Sequence, residues 1–158
     1  GMLDKARAEL DAVRQDVAGL DSPSFSAVFL LREAYMLLRE DQPDEAADRL
    51  RECEELLARH PMQRERGAFL ATQAIFRYRQ GDIRSARQAL DEAIETIGQT
   101  HFIPHLLALL NMTLSYLRKE SCDEAYRLKV QRQWDRLAAQ YRFDELAPRA
   151  ERLLERLL

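Results

Sequence analysis

The chain has 158 residues, 46% of them hydrophobic and 32% charged, with a net charge of −3. That length supports a domain with a real core, and five glycines with five prolines are too few for a disordered or collagen-like chain. A nucleic-acid binder ordinarily carries a basic excess, so the slightly acidic balance argues against direct nucleic-acid binding.

In chain order, seven helices are predicted. The first spans 2–19, with Leu3, Ala6, Leu10, Val13 and Val17 on one stripe, and Asp21-Ser22-Pro23 ends it. Three hairpins follow: 24–40 with 43–59, 62–80 with 83–98, and 104–119 with 122–141. A last helix covers 144–158, with Leu146, Ala150, Leu153, Leu154 and Leu157 as its apolar residues. Pro148 falls near its first turn, where proline is tolerated. We expect one all-α domain over 2–158, an α-solenoid of antiparallel helical hairpins.

An internal repeat underlies this pattern. Ala6, Ala46, Ala86 and Ala125 recur at spacings of 40, 40 and 39 residues. Leu10, Leu50 and Leu90 follow by four positions, and Val13, Cys53 and Ala93 by three more. The last copy departs, with apolar residues at Leu128, Val130 and Trp134. A second set of small residues, Ala34, Ala74 and Thr113, precedes the last three alanines by twelve positions. Two helices packed closely need small side chains where they cross. They also need a polar turn between them, and each copy has one. Asp82 can cap its helix, Pro43 suits a first helical turn, and Ser121-Cys122-Asp123-Glu124 fits a capping box. By this phase the chain starts and stops in mid-repeat.

Gly81, Ile83, Ala86, Leu90 and Ala93, with Ala74, resemble the tetratricopeptide repeat at its turn and helix positions. The period of 39–40 residues exceeds the roughly 34 of that family. It looks more like the helical-hairpin arrays of large bacterial transcriptional activators. The resemblance implies a superhelix whose first helices line a concave face. It places Val28, Leu31, Tyr35, Leu38 and Arg39 there from the first copy, and Ala71, Ile75, Tyr78 and Arg79 from the second. From the third come Leu107, Leu110, Asn111, Leu114, Leu117 and Arg118.

An apolar groove edged by one Arg per repeat suits an amphipathic helix or an extended peptide carrying carboxylates. The expected function is therefore a protein-interaction module, an adaptor or regulatory segment. The alternative is a small-ligand-sensing segment of a transcriptional regulator. The apolar row could equally be covered by the terminal helices or by a homodimer, and the arginines could offset helix C-terminal dipoles.

No chemistry is expected. His101 and His105 are four apart, but Pro104 starts a helix that leaves His101 outside it, and no further metal ligands join them. No glycine-rich phosphate loop and no nucleophile–base pair stands out, so neither an enzyme nor a cofactor is expected. Cys53 sits at a packing position, and two cysteines make no disulfide framework. No apolar run reaches the roughly 20 residues that cross a membrane, and the start lacks a secretory layout. The cytoplasm is the expected compartment.

Overall fold

A computed structural model of the chain describes residues 2–100 and 124–140. Six helices lie among them: α1 Met2–Gly19, α2 Pro23–Arg39, α3 Pro43–Arg59, α4 Gln63–Arg79, α5 Ile83–Gln99 and α6 Glu124–Gln140. Each agrees with the predicted span to within two residues. The described residues contain no strand. The predicted helices 104–119 and 144–158 lie outside the described residues. The chain divides into two compact units, Gly1–Thr100 and His101–Leu158.

In the first unit, α2 packs on α3 and α4 on α5, with thinner contacts of α1 on α2 and of α4 on α2 and α3. These are the expected hairpins. The small residues Ala34, Ala46, Ala74 and Ala86 are fully buried at their crossings, and Leu50, Cys53, Leu90 and Ala93 fill the spaces between. A further small site lies outside the predicted set. Ala27 is buried in α2, and 40 residues on Gly67 is buried in α4. A Cβ on Gly67 would stand 2.2 Å from Ile97 Cγ1, so only glycine lets α5 come this close. The repeat spacing itself carries the signal for this pair.

Both turns end the first helix in the same way. Gln42 N–H donates to the Leu37 carbonyl at 2.9 Å and Asp41 N–H to the Leu38 carbonyl at 3.4 Å. Forty residues later, Asp82 N–H donates to the Arg77 carbonyl and Gly81 N–H to the Tyr78 carbonyl, each at 3.0 Å. This is the Schellman pattern, which needs a left-handed residue after the cap. Gly81 takes it at φ 79°, and Asp41 takes it at φ 61° despite its side chain. Pro43 opens α3, and the Asp82 carboxylate accepts from Ser85 N–H at 3.2 Å, as the sequence implies. The hydrogen bond from Ser85 holds the Asp82 carboxyl below its ordinary range.

Two expectations fail on burial. Val13 is 42% exposed, so the α1 stripe does not repeat the packing of Cys53 and Ala93. In α6 the fourth alanine, Ala125, is exposed, whereas Tyr126 and Val130 are buried and Leu128 is exposed. The buried stripe thus keeps a 40-residue step from Ala86 and Leu90 to Tyr126 and Val130. Alignment on alanine alone shifts the register by one residue, a turn of about 100° around a helix.

Candidate interaction face

The face expected to take a partner belongs to the first helices, α2 and α4. Helix α2 packs on α3, with Ala27, Ala34 and Leu38 buried and the Cys53 thiol of α3 against the Ala27 carbonyl, and this packing orients the rest of its circumference. The turn spacing then lines up Phe25, Val28, Arg32, Tyr35 and Arg39 on one outward stripe. Phe25 is 60% exposed, Arg32 and Arg39 are exposed, and Val28 and Tyr35 are half-buried. The Arg39 guanidinium lies 6.0 Å from the centre of the Tyr35 ring, and its Nη1 donates to the Tyr35 hydroxyl at 3.3 Å. That contact holds a cation at the end of an aromatic strip.

The remaining predicted positions divide sharply. Leu31, Leu38, Ile75 and Tyr78 are buried, as is Ala71, so they build the interior and present no surface to a partner. An open apolar groove over both first helices is therefore corrected to the narrower α2 stripe. The reason is that the helical positions nearest the hairpin partner and the next helix are consumed by packing. Arg79 is exposed, and its Nη1 stands 3.6 Å from the Asp41 carboxylate across the first turn. The two described arginines of the expected edge thus differ, one stacked on a ring and one beside a carboxylate. Leu110, Asn111, Leu114 and Arg118, with Leu107 and Leu117, lie outside the described residues, as do His101, His105 and Cys122.

Charged residues that the sequence does not single out tie the helices together. Glu65 is buried at the start of α4, where its Oε1 accepts from the Ser24 hydroxyl at 2.5 Å and from Arg64 Nη2 at 2.7 Å. Burial pushes this carboxyl up, but the Ser24 hydroxyl and the Arg64 guanidinium together outweigh it and hold the carboxyl below its usual range. Across α1 and α2, Arg7 pairs with Glu40, and Arg14 Nη2 reaches Glu33 Oε1 at 2.5 Å. The hydrogen bond to Glu40 raises the Arg7 pKa further.

Cys53 is a free, buried thiol whose Sγ lies 3.9 Å from the Ala27 carbonyl. Burial pushes it up to about 12, so it has little thiolate character. Among the described residues no group of His, Cys, Asp and Glu could hold a metal ion, and no helix is long and apolar enough to cross a membrane.

A family model described as the suppressor of spindle checkpoint defect 1 C-terminal domain matches residues 1–144. No curated protein and no solved structure matches the chain. The family match overturns the resemblance to tetratricopeptide repeats and to bacterial transcriptional activators. Gly81, Ala86, Leu90 and Ala93 report a crossing and a turn, which helical hairpins of any descent need. They identify an architecture and not an ancestry. The small-ligand-sensing alternative rested on the activator likeness and loses its ground with it.

Proposed function

The chain belongs to the suppressor of spindle checkpoint defect 1 C-terminal domain family, and from that premise we propose that it is a non-catalytic protein-interaction module, an adaptor or regulatory segment. It holds a helix or an extended peptide along the outward stripe of α2. The observation that carries this reading is Phe25, a large aromatic ring 60% exposed, more than any other large hydrophobic side chain among the described residues. Arg32 and Arg39 flank the strip with exposed cations. An apolar strip with guanidinium groups on it suits a partner that offers apolar anchors beside Asp or Glu, because Arg binds carboxylates with two parallel hydrogen bonds.

The same reading has the module work in the cytoplasm. A second copy of the chain is the other protein that could use this stripe, as a homodimer.

Panning a displayed peptide library against the chain tests the proposal. Peptides with apolar anchors beside acidic residues should be enriched. The Phe25→Asp/Arg32→Glu chain should lose that enrichment while keeping its unfolding temperature, since both side chains are exposed. Equal enrichment on the two chains refutes the assignment. Sedimentation of the unaltered chain separates the dimer from the monomer.

A further inference from the structure

We propose that the Glu33–Glu40 side of α2 is a docking surface for a helix carrying two arginines seven residues apart, and that α1 is its exchangeable occupant. This side lies away from the Phe25–Arg39 stripe, and the inference does not depend on what that stripe binds.

Arg7 pairs with Glu40, through Nε at 3.2 Å and through Nη2, and Arg14 pairs with Glu33. The arginines are seven apart on α1, the glutamates are seven apart on α2, and the order reverses between the helices. Seven residues is two helical turns, so each pair stands on one face of its helix, and the reversed order makes the docking antiparallel. Glu33 is buried, while Arg14 remains half-exposed. A buried carboxylate demands a cation, and here α1 supplies it. Phe29 and Met36 fall on the same stripe as Glu33 and Glu40 and are buried, which gives the surface an apolar floor.

Helix α1 contacts α2 less extensively than α3 does. Helix α3 buries Ala46, Leu50, Cys53 and Leu57 against the fold. Among the described side chains of α1 none is buried: Val13 is exposed, and Leu10 and Val17 are half-buried. The two charge pairs are therefore a prominent part of what holds α1, and their partly exposed arginines let salt weaken them. An occupant held this way trades with a competitor that carries the same two cations.

Two measurements test the inference. A fluorescent peptide of residues 2–19 is titrated into the full chain and followed by anisotropy. It should bind the Arg7→Glu/Arg14→Glu chain at least about ten-fold tighter than the unaltered chain, because a site filled in cis lowers the apparent affinity by the fraction left free. A peptide with both arginines changed to Glu should bind neither chain. Equal binding to the two chains, or binding by the reversed peptide, overturns the proposal. Amide exchange of the unaltered chain is then compared at about 0.05 and 1 M NaCl. Helix α1 should lose protection in high salt while α4 and α5 keep theirs. Unchanged α1 protection overturns the proposal, and so does opening of all three helices together, in salt or in the double variant. Loss of the Phe25 stripe's peptide selectivity would leave both results untouched.

Discussion

Hairpins α2–α3 and α4–α5 share one register, 40 residues apart, and spend it differently. Their crossings are alike: Ala34 and Ala46 in one, Ala74 and Ala86 in the other, all buried. Their outward stripes are not. Phe25, Arg32 and Arg39 of α2 are exposed, whereas the positions 40 residues on, Glu65 and Thr72, are buried and only Arg79 is open. The half-buried Tyr35 corresponds to the buried Ile75. The comparison shows that a repeat constrains the seam between its two helices strongly and the face away from that seam weakly. The free face is where the two copies diverge.

The largest effect should separate Tyr35 from Ile75. Ile75 is 7% exposed, so Ile75→Asp buries an unpaired charge and should cost more than about 3 kcal/mol in denaturant unfolding. It therefore cannot serve as a clean probe of binding. Tyr35→Asp should cost only about 1 kcal/mol, because that ring is half in solvent. Equal costs would break the distinction between the two stripes.

A smaller effect should separate the two crossings. Gly67→Ala drives a methyl into Ile97 and should cost about 1–3 kcal/mol, part of it recovered by adding Ile97→Val. The first hairpin already carries Ala27 at this position, so Ala27→Gly should cost about 1 kcal/mol from helix propensity alone. Paired thermal melts decide it. A neutral Gly67→Ala would mean that the second hairpin is no tighter than the first.

The smallest effect lies in the turns. Asp41→Gly should stabilise the first turn by up to about 1 kcal/mol, and Gly81→Ala should weaken the second by about as much, since both residues sit at positive φ. Chemical denaturation of the two variants, read side by side, should give shifts of opposite sign. Shifts of the same sign would mean that the two turns are not equivalent.

The described helices are legible in the amino-acid order, and so are the capping role of Asp82 and the proline start of α3. The candidate face is legible in part. The groove pattern points to Tyr35, Arg39 and Arg79, which are accessible, but it passes over Phe25, because an aromatic near a helix start looks like any core residue in sequence. It also points to Leu31, Leu38, Ile75 and Tyr78, which are buried, because a helical stripe does not say which of its neighbours will cover it.

What the amino-acid order determined by itself is local. Helical periodicity, caps and polar turns follow from contacts within a few residues along the chain, and the recurrence of small residues every 40 positions marks those helices as hairpins. Only the tertiary structure decided the rest. It set which stripe stays open, where Gly67 meets Ile97, and the one-residue register of α6. It also brought Arg7 and Arg14 to Glu40 and Glu33, 33 and 19 residues away. Such pairs depend on how helices dock, and docking is set by the area and charge each helix offers to all its neighbours at once.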